Sequence, residues 1–100
     1  MENKFDIADF VKTQTLQSVT EQLVEREKQR RKKMHLSQRD LANRSGVSYA
    51  SIRRFECIGE ISLNSLLKIA NALNCLEDFN LIFKTPVVKS LKDYDVRLKI

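Results

Sequence analysis

The stretch that decides the fold runs from Ser37 to Glu56 and reads SQRDLANRSGVSYASIRRFE. Ser37, followed three residues later by Asp40, forms the S-x-x-[DE] pattern that caps the start of a helix. Gly46 is expected to end that helix, because glycine enters a left-handed C-cap without a Cβ penalty. Ser48 can cap a second helix. The stretch therefore predicts two short helices joined by a tight turn.

The apolar residues of this stretch predict how the two helices pack. Leu41, Val47 and Ile52 can share one small core, and Ala42 is small where the helices cross. The second helix is then left with an outward face that carries Tyr49, Ala50, Arg53 and Arg54. A helix that presents cations and hydrogen-bonding groups in this way suits the major groove of DNA.

The spacing of the stretch also resembles a known family. The pattern Q-x-x-[LV]-A-x-x-x-G-[VI]-x-x-x-x-[IV]-x-x-[LFW]-E is met by Gln38, Leu41, Ala42, Gly46, Val47, Ile52, Phe55 and Glu56. It resembles the helix-turn-helix of the Cro/phage-repressor class, the Xre family, and the resemblance covers roughly Val19 to Phe79. It implies an all-α, lambda-repressor-like bundle of about five helices around a central helix-turn-helix. The implied function is sequence-specific binding of double-stranded DNA by a transcriptional regulator, most often a repressor.

The resemblance also implies roles for individual residues. Helix 48–56 would enter the major groove and read bases through Tyr49, Ala50, Arg53 and Arg54. Phosphate contacts are expected from Gln38, Arg39, Ser48, Ser51, Arg30, Lys32 and Lys33. Arg31 is expected to form a partly buried, structural ion pair with Glu56. Arg54 is the residue expected to give the strongest base preference, because arginine is the commonest partner of guanine.

The basic residues are concentrated around the same stretch. The chain carries a formal charge of +5, but the segment from Arg26 to Arg54 has ten basic and two acidic residues. The rest of the chain is therefore net acidic, and the positive field lies on the predicted DNA-binding unit. Two alternatives remain open for this charge. The cations after Lys28 also match the dipole of a helix C-terminus, and the arginines of the second motif helix could form a solvated face.

Other classes of function find little support in the sequence. The residues show no nucleophile–base set, phosphate loop or ligand cluster, so the chain is not expected to be an enzyme or to need a cofactor or metal. His35 stands alone, and Cys57 and Cys75 read as two reduced thiols in or near a core. No apolar run approaches the length of a membrane span, and no signal peptide is recognisable. The expected location is the cytoplasm.

The two ends lie outside the family pattern. Residues 1–16 are expected to form an N-terminal extension, residues 17–84 the DNA-binding domain, and residues 85–100 a C-terminal tail. The alternation from Asp95 to Ile100 suggests a short strand that pairs with another subunit or partner, or else a disordered tail. A homodimer on an inverted-repeat operator is expected. The alternative is an antitoxin that binds a toxin through these ends and represses its own operon.

Overall fold

The computed structural model describes residues 14–87, and within that range the protein is entirely helical. The elements in order are α1 (Leu16–Lys33), α2 (Gln38–Ser45), α3 (Tyr49–Ile58), α4 (Leu63–Ala72) and a 3₁₀ helix (Leu76–Leu81). The predicted all-α bundle of about five helices is confirmed. The N-terminal extension up to residue 13 and the predicted strand at Asp95–Ile100 lie outside the described residues.

The helix ends follow the sequence signals of the central stretch. The Ser37 hydroxyl accepts a hydrogen bond from the Asp40 amide at 3.0 Å, and the Ser37 amide donates to the Asp40 carboxylate at 2.9 Å. Hydrogen bonding of the Asp40 carboxylate to the backbone and the side chain of Ser37 lowers the pKa of Asp40. Gly46 ends α2 in the left-handed region with φ of 79°, and Ser48 caps α3 through the Ser51 amide. The predicted turn between the two helices is therefore present with both caps.

The core lies between α2, α3 and α4. Its buried residues are Leu36, Leu41, Val47, Ile52, Ile69 and Leu73. The predicted sharing of one core by the two motif helices is therefore observed. Burial on α4 is concentrated in the second half of the helix, at Ile69 and Ala70. Leu63, which begins that helix, is 66% exposed and is not a core residue.

Two glycines fix the ends of α2 and α3, and they differ in their surroundings. Gly46 and Gly59 both have positive φ, at 79° and 77°. A Cβ added at Gly46 would meet no atom within 4 Å. A Cβ added at Gly59 would overlap the methyl group of Thr20 on α1. Gly59 therefore permits a close approach between α1 and the end of α3 in addition to the left-handed turn.

We predict that Gly59→Ala destabilises the protein more than Gly46→Ala. Alanine at either position meets backbone strain of about 1–2 kcal/mol, and at position 59 overpacking adds roughly 1–3 kcal/mol. Urea unfolding followed by circular dichroism measures both free energies. Thr20→Ser removes the methyl but keeps the hydroxyl that donates to the Leu16 carbonyl. This change should rescue Gly59→Ala in part and leave Gly46→Ala unaffected; equal costs for the two glycines would contradict the close approach.

Candidate nucleic-acid interface

Helix α3 is divided between a buried face and an exposed face. Its buried residues are Ile52, Phe55 and Glu56. Ala50, Arg53 and Arg54 are exposed, and Tyr49 is half-buried. The outward face is the one that the apolar spacing of the sequence predicted. It offers two guanidinium groups, a methyl group and a phenol along about two turns of helix.

Tyr49 is flanked by two arginines. The guanidinium carbon of Arg39, from α2, lies 4.0 Å from the centre of the tyrosine ring. The guanidinium carbon of Arg53, from α3, lies 5.8 Å from the same point. Cation–π contacts of this kind contribute about 0.5–1 kcal/mol at exposed sites. The ring therefore gathers cations from both motif helices at the start of α3.

Arg54 forms an exposed ion pair that the sequence reading missed. Its Nη2 lies 2.5 Å from Oε1 of Glu60, and the two side chains are 62% and 63% exposed. Exposed pairs of this kind contribute only about 0–1 kcal/mol, so a stronger partner can displace the glutamate. The sequence offered one signal for this pair, because Glu60 directly follows Gly59 and so lies close to the last turn of α3. Glu60 is therefore a neighbour that any partner of Arg54 must replace or accommodate.

The inward end of α3 is held by a buried ion pair between Arg31 and Glu56. Arg31 donates from Nε and Nη2 to the two oxygens of Glu56 at 2.9 and 2.8 Å. Its Nη1 donates to the Leu36 carbonyl at 2.9 Å. Gln38 donates from Nε2 to Oε1 of the same glutamate at 2.9 Å. We call this set of Arg31, Leu36, Gln38 and Glu56 the brace. It joins α1, the α1–α2 connection, α2 and α3.

Hydrogen bonds keep the brace ionised. Burial alone would raise the pKa of Glu56, but its hydrogen bonds with Arg31 and Gln38 oppose burial, and the pKa is lowered. The hydrogen bond to Glu56 likewise raises the pKa of Arg31. Both groups are therefore charged at neutral pH. The ion pair that the family resemblance implied is present, and Gln38 joins it.

Five of the residues expected at phosphates lie on or beside the motif helices. Lys32, Lys33 and Arg39 have exposed side chains. Ser48 and Ser51 lie at the start of α3, where the Ser48 hydroxyl donates to the Ser51 hydroxyl at 2.9 Å. Each of these five places a polar or cationic group on or beside the motif helices.

Arg30, which is also expected to contact a phosphate, forms hydrogen bonds within the protein. Its Nε donates to the Leu73 carbonyl at 2.6 Å and its Nη2 to the Asn74 carbonyl at 3.1 Å. These carbonyls follow the end of α4, where a helix leaves acceptors without intrahelical partners and where a cation complements the helix dipole. Asn74 itself is left-handed with φ of 61°. Arg30 therefore ties α1 to the end of α4.

Glu27 is the buried polar residue that the sequence reading did not single out. It is 7% exposed, on the face of α1 that also carries Val24 and Arg31. The spacing of four residues from Glu27 to Arg31 was the only signal available, and a charged residue at that spacing usually marks a solvated face. The structure instead places a second carboxyl next to the brace.

The described part of the chain offers no site for a metal ion. Residues 14–87 contain no group of histidine, cysteine and acidic side chains able to hold a metal ion. Cys57 and Cys75 are both free thiols; Cys57 is exposed, which differs from its expected place in or near the core. None of the helices between residues 14 and 87 is long and apolar enough to cross a membrane.

A family model described as helix-turn-helix matches residues 28–79, just over half of the chain. The chain belongs to the Cro/C1-type helix-turn-helix family. The match runs from the second half of α1 to the 3₁₀ helix and contains the whole outward face of α3. It confirms the family predicted from the central stretch, and the protein is accordingly a DNA-binding regulator of the Cro/C1 type. Comparisons with proteins of curated function and with solved structures found no match.

We predict that the brace is strongly non-additive. Arg31→Ala or Glu56→Ala alone should cost about 3–5 kcal/mol of unfolding free energy, because each leaves an unpaired charge in a buried position. The double variant should cost clearly less than the sum, by at least about 1 kcal/mol. Chemical unfolding of the four proteins measures the coupling.

The exposed pair of Arg54 and Glu60 serves as the matched control. The same double-alanine cycle at this pair should give single costs and a coupling of about 0–1 kcal/mol. Additive costs at Arg31 and Glu56 would show that the buried pair does not act as a unit.

Proposed function

We propose that the protein is a sequence-specific transcriptional repressor that binds operator DNA by placing α3 in the major groove. The observation that carries this proposal is the division of α3. Ile52, Phe55 and Glu56 anchor the helix from behind, and its other face remains exposed with its arginines outward. A helix anchored in this way loses little conformational freedom on binding, which leaves the contacts of its outer face to contribute to affinity.

Base reading is assigned to the outward face of α3. Arg54 offers two donors to the O6 and N7 acceptors of guanine, after release from Glu60. Arg53 offers a second guanidinium, and the methyl of Ala50 suits the methyl group of thymine. Tyr49, held between Arg39 and Arg53, lies at the N-terminal end of the helix and completes the reading set.

Phosphate contacts are assigned to the groups around α3. Arg39, Ser48 and Ser51 lie at the α2–α3 junction, where the start of α3 also presents backbone amides. Lys32 and Lys33 extend the positive surface onto the end of α1. Gln38 braces Glu56 and begins α2, so a phosphate contact there would hold both helices in register. These contacts position the domain but carry no sequence information.

We predict that Arg54→Ala lowers affinity for the operator by about 1–3 kcal/mol and relaxes preference at one base pair. Lys32→Ala should weaken operator and random DNA alike and reduce the salt slope by about one. Fluorescence anisotropy at several salt concentrations, on an operator selected from random sequences, distinguishes the two. Thermal unfolding of both variants should stay near the wild type. Equal losses on operator and random DNA for Arg54→Ala would remove its reading role.

The end of the 3₁₀ helix and the two residues after it support a dimer. Leu81, Ile82 and Phe83 are 70%, 53% and 100% exposed, a run of large apolar side chains in water. Exposed apolar clusters mark interaction surfaces. A second copy of the chain that covers this run would produce a two-fold dimer, and its two α3 helices would read half-sites about 34–36 Å apart on an inverted repeat.

We predict that Phe83→Asp shifts the protein from dimer to monomer and lowers operator affinity at least about tenfold, because one half-site contact is lost. Sedimentation equilibrium measures the mass. Leu63→Asp is the control, because Leu63 is also a large exposed apolar residue but lies on another helix, at the start of α4. A wild-type monomer that occupies a single half-site would contradict the dimer.

The same apolar run supports a second candidate function, an antitoxin that binds a toxin while repressing its own operon. The two candidates differ in what covers Phe83. In the antitoxin, the wild type stays monomeric and Phe83→Asp abolishes co-purification with a neighbour-encoded toxin. In the dimeric repressor, Phe83→Asp instead lowers the mass to that of a monomer and weakens binding to the operator.

A further inference from the structure

The carboxyl of Glu27 is buried without a hydrogen-bond donor for either oxygen. The side chain lies one turn before Arg31 on α1 and is 7% exposed, and neither of its oxygens has a conventional hydrogen-bond donor. Its carboxyl nevertheless lies within hydrogen-bond reach of the Glu56 carboxylate. Two carboxyl groups thus meet behind the recognition helix, in the part of the fold that holds it.

Two ionised carboxylates cannot satisfy this geometry. Each would be an acceptor, and neither would have a hydrogen to offer the other. Arg31 lies one turn further along the same helix, and three of its N–H groups already donate to Glu56 and to the Leu36 carbonyl. A buried ion without a partner is costly, so a carboxyl in this position keeps its proton instead. A protonated Glu27 has an O–H to donate, and Glu56 is the acceptor within reach.

We propose that Glu27 is a neutral carboxylic acid in the folded protein and donates its proton to Glu56, so that it acts as a positioning residue for the recognition helix. Glu56 then receives hydrogen bonds from Arg31, Gln38 and Glu27, from α1 and α2. Loss of the proton replaces the third bond with repulsion between two buried carboxylates. The predicted effect on DNA binding rests on the proposed function, whereas the protonation state does not.

The charged groups around Glu27 determine where it titrates. Lys28 and Arg31 on its own helix favour the ionised form, and Glu56 on α3 disfavours it. The thiol of Cys75, just before the 3₁₀ helix, is a neighbour of Glu27, Arg30 and Asp78. Burial is the largest influence, and together with the hydrogen bond and charge of Glu56 it raises the pKa of Glu27 to about 8.

The raised pKa of Glu27 determines whether stability rises or falls with pH. Because the folded protein holds the proton more tightly than the unfolded chain, the stabilisation by Glu27 is complete below the unfolded pKa of 4.5. It declines as pH rises through the folded pKa and levels off above it. Glu56 acts in the opposite direction, because its lowered pKa gives a contribution that is lost only at acid pH. The alkaline decline therefore belongs to Glu27.

The first test compares the wild type with Glu27→Gln, since glutamine has the shape of the protonated acid and keeps an N–H for Glu56. Chemical unfolding is measured from pH 5 to pH 9.5. The folding equilibrium constant of the wild type should fall, relative to the variant, about tenfold per pH unit, on the order of a thousandfold by pH 8. Glu25→Gln, an exposed glutamate on the same helix, should follow the wild type. Parallel curves for the wild type and Glu27→Gln would overturn the proposal.

The second test needs no variant. Carbon-13 NMR of the glutamate side-chain carboxyls follows each titration in the wild-type protein, and the Glu27 signal should have its midpoint near 8, as its raised pKa requires. A midpoint near 4.5, the ordinary value, would overturn the proposal even if Glu27→Gln fails to fold.

The third test concerns positioning. Affinity for the selected operator, measured at pH 6.5 and pH 9 under conditions where the protein stays folded, should fall at least about tenfold for the wild type relative to Glu27→Gln. Glu27→Ala should bind weakly at both pH values, so that rescue by glutamine separates the hydrogen bond from mere bulk. If the ratio of the wild-type affinity to the Glu27→Gln affinity is the same at both pH values, Glu27 affects stability alone and has no positioning role. A protein that binds no DNA at any pH would refute the proposed function but leave the titration result standing.

Discussion

The hydrogen-bonded ion pair between Arg31 and Glu56 is the constraint on which the rest of the structure depends. One guanidinium bonds to the end of the recognition helix and to the chain that connects α1 to α2, and Gln38 adds a bond from α2. Because the pair is buried, it holds three helices at fixed positions with directional bonds that apolar packing alone does not supply. The small core needs this help, since its large buried side chains are few.

This constraint separates the two faces of α3. The inward face packs in the core and carries Glu56, which is bonded to Arg31 and Gln38. The outward face carries side chains that make only weak contacts. The pair of Arg54 with Glu60 and the contacts of Tyr49 with Arg39 and Arg53 are exposed and easily exchanged. A reading surface requires this combination, because a rigid backbone fixes the register while its side chains remain available to bases.

The sequence was most informative where local chemistry decides the structure. The caps at Ser37 and Ser48 and the left-handed turn at Gly46 follow from residue types that few other conformations use, so their helix ends could be predicted. Arg30 and Glu27 could not be placed in the same way. On α1 they occupy a run rich in charged residues, and only the approach of α4 and of Glu56 distinguishes them from solvated neighbours. Glu60 was missed because the Gly59 turn, although it is a local feature, does not by itself determine which exposed cation pairs with the acid that follows it.

The most direct measurement of the central claim is amide and arginine side-chain NMR of the full chain during titration with an operator duplex. The largest shifts should fall on Tyr49, Ala50, Arg53 and Arg54. The Arg31 Nε–H signal should stay at its hydrogen-bonded position. The bound helix would then keep its brace and use only its outward face. Shifts concentrated instead on Leu81–Phe83, with α3 unperturbed, would contradict it.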